Sequence, residues 1–136
     1  MRRALLACFG LVLLVGCAPQ EPPAAAANPL AGAPWVAQEI AALPVLAEHP
    51  ATLEVKPDGS VSGKSGCNGF AGASTLQGDS IAFGALAATK MACPGPQMEQ
   101  EGRYFAALAA SRRYLLDGDT LRLLDAGGAT LVLYRR

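Results

Sequence analysis

Turn-forming groups recur along this chain at intervals that suit hairpins better than any other element. Pro57-Asp58-Gly59, Gln77-Gly78-Asp79, Asp117-Gly118 and Gly127-Gly128 each sit between short segments rich in large apolar residues. Proline presets φ for an early turn position and glycine accepts positive φ at a later one, so the chain reverses within a few residues. Alternation with a period of two then sorts side chains onto the two faces of a strand. In Thr52–Gly63, Leu53 and Val55 alternate with Glu54 and Lys56, and Val61 resumes the apolar face after the turn. Phe70–Leu76 and Ile81–Phe83 predict a second hairpin, whose small residues Ala71-Gly72-Ala73-Ser74 point to a strongly curved or bulged first strand. Arg113–Leu116, Thr120–Leu124 and Thr130–Arg135 predict a three-strand meander, with Leu121 and Leu123 matched by Leu131 and Leu133. Trp35–Ile40 reads as an earlier strand, with Trp35, the only tryptophan, as a plug in the core or at a barrel end.

One helix interrupts this pattern. Pro94-Gly95-Pro96 opens it, because proline is tolerated in a first turn where its missing N–H would have no partner. The spacing predicts a helix over about Gln97–Ala110 with Met98, Gly102, Phe105, Leu108 and Ala109 on its inner face. Gly102 in mid-helix suggests close approach by another element. Arg112 and Arg113 follow the negative end of the helix dipole. The resulting fold class is α+β, mainly β: a small antiparallel, curled sheet or partial barrel packed with one α-helix. At 136 residues the chain suits one domain. Much of its 51% hydrophobic content is alanine, so the core must rest on few large side chains.

The N-terminus has a separate logic. Met1-Arg2-Arg3 is basic, and Ala4–Val15 is apolar but too short to span a bilayer core, which needs about 20 residues. This is the pattern of a secretory leader. Leu14-Val15-Gly16-Cys17 resembles the bacterial lipobox. That resemblance implies a signal peptide over residues 1–16, removal of Cys8 with it, and a diacylglycerol on the Cys17 thiol. Multiple acyl chains anchor a protein stably. Ala18 follows in place of the Asp that resembles an inner-membrane retention signal, which favours lipid anchoring in an outer membrane, facing the periplasm. Residues 17–34, with Pro22-Pro23, Ala24–Ala27 and Asn28-Pro29, read as a flexible tether, and residues 35–136 as the domain. Without Arg2 and Arg3, nine basic residues face 11 acidic ones. That balance offers no basic face for nucleic acid.

Three segments carry a family resemblance. Ser65-Gly66-Cys67-Asn68-Gly69-Phe70-Ala71-Gly72, Thr89-Lys90-Met91-Ala92-Cys93-Pro94, and Glu101 with Phe105, Leu108, Tyr114 and the Asp117–Leu121 turn are similar in order and spacing to the META, or HslJ-like, domain. Gly69 and Lys90 stand where the family often has Arg, and Ser74 where it often has an aromatic residue. The resemblance implies a barrel-like antiparallel sheet with one helix, frequent occurrence as envelope lipoproteins, and links to envelope stress and antibiotic tolerance. It implies no agreed enzymatic mechanism.

Cys67 and Cys93 are the cysteines left after lipidation. An even pair in an oxidising compartment is expected to bridge, and closing that loop contributes about 3.5 kcal/mol in the chain-entropy model. Two buried thiols, a redox pair, or a zinc site completed by His49 are the alternatives. Asn68 suits a tight turn, or braces a loop, or contacts a ligand. Glu101 is expected to pair with Lys90 or Arg103. Phe70, Lys90 and Met91 complete the motif residues with a possible binding role. No catalytic triad, nucleophile elbow, phosphate loop or cofactor fingerprint is present, so no catalytic residue, metal or cofactor is expected. The expected role is a non-enzymatic envelope lipoprotein with a protein partner. A periplasmic protease inhibitor or a carrier of a small apolar ligand are the competing readings.

Overall fold

The computed structural model describes residues 27–136, so the leader, Cys17 and the first part of the expected tether lie outside the described residues. The elements in order are β1 (Trp35–Ile40), β2 (Leu43–Pro44), β3 (Thr52–Val55), β4 (Ser60–Lys64), β5 (Gly69–Gln77), β6 (Ser80–Phe83), β7 (Ala87–Ala88), α1 (Gly95–Ala110), β8 (Arg113–Asp117), β9 (Thr120–Leu124) and β10 (Thr130–Arg135). All strand pairings are antiparallel. The path β10-β9-β8-β6-β5-β4-β3-β1 closes on itself, because β1 also pairs with β10. The curled sheet anticipated from the turns is therefore a closed eight-strand barrel. Closure comes from the first and last strands, the two most distant in sequence, and no local signal announces it.

Side chains fill the interior. Trp35, Tyr104 and Tyr134 are fully buried with Ile40, Leu53, Leu108, Leu121 and Leu123. Helix α1 packs against β1, β6 and β10 and sends Tyr104 inward. The Tyr104 hydroxyl donates to the Thr52 carbonyl at 3.1 Å and accepts from the Tyr134 hydroxyl at 2.9 Å. Burial pushes both phenols above their ordinary value, so both stay protonated donors. Phe70 meets Tyr104 and Phe105 edge-on, with centroids 5.9 and 5.6 Å apart. Each such pair contributes about 0.5–1.5 kcal/mol beyond its buried area.

Three details correct the sequence reading. The helix presents Gln100, Tyr104, Ala107 and Leu108 to the core, about a third of a turn away from the expected face. Met98 is 41% exposed, and nothing approaches the position of a Cβ on Gly102. A fully hydrogen-bonded Gln and a paired Tyr hydroxyl take inner positions that hydrophobicity alone assigns elsewhere. In β10, Val132 and Tyr134 oppose Leu123 and Leu121, in place of Leu131 and Leu133. A register shift between Thr130 and Val132 moves the following side chains by one position, which exchanges the faces. The packed domain also begins before Trp35. Leu30 is fully buried, the Trp35 indole N–H donates to its carbonyl at 3.0 Å, and Asn28 bonds the Lys56 carbonyl at 3.3 Å.

The small residues of β5 have a concrete purpose. The strand passes from β4 and β7 as partners over Gly69–Ala73 to β6 over Ser74–Gln77. A Cβ on Gly72 would lie 2.6 Å from Leu86 Cδ2 and 2.8 Å from the Ala85 carbonyl oxygen, so only glycine lets the returning chain pack there.

The β1–β2 turn lacks any glycine or asparagine. Ala41 and Ala42 occupy it with φ of 51° and 60°. Left-handed backbone costs an alanine about 1–2 kcal/mol. The Ala41 N–H donates to the Leu131 carbonyl at 2.8 Å, which ties this strained turn to β10. Replacing Ala42 with Gly relieves the strain at some cost in unfolded-chain entropy, so A42G is expected to stabilise the domain by about 0.5–1 kcal/mol in urea unfolding.

Candidate functional site

The motif residues converge on one corner, where the β4–β5 loop, the segment between β7 and α1, and the second turn of α1 meet. Gly66 makes the loop possible. Its φ is +111°, and a Cβ there would collide with the Gln100 amide nitrogen. Gln100 is fully buried in consequence and satisfied by backbone on every side. Its Oε1 accepts from Leu46 N at 2.8 Å, while Nε2 donates to the carbonyls of His49 at 2.8 Å and Ser65 at 3.3 Å.

Asn68 is the hub. Its Oδ1 accepts from the Thr89 hydroxyl at 2.8 Å and from Met91 N at 2.7 Å. Its Nδ2 donates to Glu101 Oε1 at 3.0 Å and lies 3.4 Å from the Met91 carbonyl. Its backbone N–H donates to Glu101 Oε2 at 2.9 Å, and its carbonyl accepts from Ser65 N at 2.9 Å. One side chain thus joins three segments that are remote in sequence. Of the readings open for Asn68, this is the bracing one: its donors and acceptors all face protein groups.

Glu101 pairs with neither Lys90 nor Arg103, contrary to expectation. It accepts from the Ser65 hydroxyl and from both nitrogens of Asn68. The single ion pair among the described residues, Arg113 with Asp79, lies elsewhere. Neutral donors fixed by the loop satisfy the carboxylate without two mobile cationic side chains having to be ordered. Burial works to raise the Glu101 pKa, but the hydrogen bonds from Ser65 and Asn68 outweigh it and hold the carboxyl below its ordinary value.

Cys67 and Cys93 are joined as a disulfide, with Cα atoms 5.9 Å apart. It runs alongside the Asn68 network and ties the same loop to the residue before the helix cap, Pro94. With the sulfurs bonded to each other, neither the reading as two buried, unpaired thiols nor the zinc reading describes this structure. His49 contributes its backbone carbonyl, to Gln100. Phe70 is buried in the aromatic cluster. Lys90 is exposed, and Met91 has 57% of its surface exposed even though its own N–H and C=O both face the Asn68 side chain.

Sequence reasoning therefore named Asn68, Glu101 and the two cysteines but missed Ser65, Thr89 and Gln100. Ser65 and Thr89 stood at the first positions of the two motif segments, a signal that could have found them. Gln100 offered none: a glutamine in a helix is ordinary until its partners are known.

Two measurements probe this corner. Asn68→Ala leaves the Met91 N–H and the Thr89 hydroxyl without their acceptor and removes one of the three donors to Glu101, so a loss of about 2–4 kcal/mol is expected in denaturant unfolding with the disulfide intact. Glu101 has a depressed folded-state pKa, so its contribution is present above the ordinary value of 4.5 and is lost as pH falls through the lower folded value. Glu101→Gln is accordingly expected to lower stability at neutral pH and to flatten its decline below about pH 4.5, read from unfolding curves across that range.

Comparison with known proteins agrees with this geometry. A sequence model of the META domain matches residues 28–136, beginning at the same Asn28 where packing begins. No curated protein matches the chain. Among solved structures, an NMR structure of a protein from Burkholderia xenovorans is similar at 27% identity, with a TM-score of 0.64 over 90% of this chain and 99% of that one. A second NMR structure is similar at 26% identity and a TM-score of 0.60, over 75% and 86% of the two chains. A crystal structure of a DUF4847 family protein from Bacteroides vulgatus shares the fold alone, at 18% identity and a TM-score of 0.51 over 62% and 57%. The closed barrel, its single helix and the Ser65–Gly72 and Thr89–Pro94 segments are those of one family, and this chain belongs to it: it is a META domain protein.

Proposed function

We propose that this protein is a non-enzymatic envelope lipoprotein, anchored through Cys17 to the outer membrane. There its META domain faces the periplasm and supports envelope integrity or tolerance of stress and antibiotics through a protein partner. The observation that carries the non-enzymatic part is the saturation of the motif corner. Asn68, Glu101, Ser65, Thr89 and Gln100 bond to one another and to backbone. A general base needs a free lone pair aimed at a substrate proton, and a nucleophile needs such a base beside it. At this corner the polar atoms are aimed at each other.

The anchor reading rests on Leu14-Val15-Gly16-Cys17 and the basic, apolar leader before it. The Cys67–Cys93 disulfide supports an oxidising compartment, where such bonds persist. The carrier alternative loses ground to the packing, since Trp35, Tyr104 and Tyr134 occupy the barrel interior that a ligand would need.

Metabolic labelling with a palmitate analogue, followed by membrane fractionation, tests the anchor. The wild-type protein is expected to carry the label and sediment with outer membrane, and Cys17→Ala to lose the label and become soluble. Unlabelled wild type, or identical fractionation of the two forms, would contradict the reading.

A further inference from the structure

The strands run alternately up and down the barrel wall, so the connections between neighbours fall at its two ends. The β3–β4, β5–β6 and β8–β9 turns, at Pro57–Gly59, Gly78–Asp79 and Gly118–Asp119, share one end. The β4–β5 loop, with Cys67 and Asn68, lies at the other. Thr89–Pro94 joins it there, because β7 pairs with Phe70 and Ala71 at the start of β5. The nine residues of β5 place about 26 Å of strand between the two ends.

The N-terminal segment enters the domain at the turn end. Asn28 donates to the Lys56 carbonyl at 3.3 Å, and Ala27, Asn28 and Pro29 line one cleft with Asp58, Gly59 and Gly78. Leu30, fully buried two residues on, pins this entry point.

The position of the entry point matters because the connection to the lipid is short. Eleven residue steps separate Cys17 from Asn28, a reach of at most about 36–40 Å. With the turn end toward the lipid, none of that reach has to be drawn out. To lay the motif corner on the lipid, the same steps would have to run straight along the barrel wall, taking up about two-thirds of the full reach in one direction. A chain held straight loses conformational freedom, so the first arrangement is favoured. Charge does not compete with it. At and beside the turn end Lys56, Arg113, Arg122, Arg135 and Arg136 stand with Asp58, Asp79, Asp117 and Asp119, and the two signs nearly cancel.

We infer that the lipidated protein stands on the membrane on its turn end, against the phospholipid headgroups, and presents its motif corner to the periplasmic space. The exposed side chains of Lys90, Met91 and Met98 then face away from the bilayer, which is the side from which a protein partner reaches the domain. This orientation rests on the anchor at Cys17 proposed above.

The test uses the palmitate-labelled protein, with p-benzoylphenylalanine in place of Asp119 or of Lys90, both exposed. Each form is reconstituted into phosphatidylcholine vesicles that contain a fluorescent phospholipid, and irradiated. Crosslinking to lipid is expected to be at least fivefold greater from position 119 than from position 90. A linker of about thirty glycine and serine residues inserted between Ala25 and Ala26 is expected to bring the two yields within twofold. Equal yields with the native tether, or a greater yield from position 90, overturn the inference. A bias that survives the insertion also overturns it, and would assign the orientation to lipid affinity of the turns themselves. Absence of palmitate from the protein overturns the anchor reading and this one together, whereas labelled protein with equal yields overturns this one alone.

Discussion

The amide of Asn68 is the interaction on which the motif corner depends. The β4–β5 loop, the segment leading into the helix and the helix itself have no sheet pairing in common at that point. They meet because one side chain offers two acceptor directions to Thr89 and Met91 and its donors to Glu101 and the Met91 carbonyl. Aspartate could not supply the donors, and would set a second negative charge against Glu101. Leucine could fill the volume but would leave Glu101 Oε1 and the Met91 N–H without their Asn68 partners, at about 1–3 kcal/mol each. The disulfide ties the same loop by a different means. It restricts the unfolded chain, whereas the Asn68 network fixes the folded one.

Helix placement follows from this corner. Gln100 and Glu101 lie side by side on α1 and share the β4–β5 loop, Gln100 held by Leu46, His49 and Ser65, Glu101 by Ser65 and Asn68. Their bonds set the rotation of the helix about its axis, and that rotation aims Tyr104 into the barrel toward Thr52 and Tyr134. A polar corner outside the barrel thus decides which aromatic side chain fills it. Arg112 completes the other end of the helix by donating to the Ala109 and Ser111 carbonyls at 2.8 and 2.7 Å.

The parts of this arrangement that were legible in the sequence are those with local causes. Pro57-Asp58-Gly59 and Asp117-Gly118 are turns whatever surrounds them, and the runs beside them alternate because one face of a strand is buried. The cysteine pair was legible because few residue types have so few partners to choose from. What stayed hidden depends on distant partners. The Ala41-Ala42 turn carries no turn chemistry and persists through tertiary contacts. The register shift in β10 exchanges inner and outer residues without any mark in composition. Gln100 sits inward against its own polarity because three backbone groups wait for it there. Barrel closure joins Val36 to Arg135, a pairing no window along the chain can contain.

The central claim is that the family motif is an internal clamp, with its polar groups turned on one another. Met91 tests it most directly, since its side chain is largely exposed while its N–H lies 2.7 Å from Asn68 Oδ1. Native-state hydrogen exchange read at the Met91 amide is expected to be as slow as in the core strands, and to become fast in Asn68→Ala. A Met91 amide that exchanges at the rate of an open loop in the wild-type protein would contradict the account.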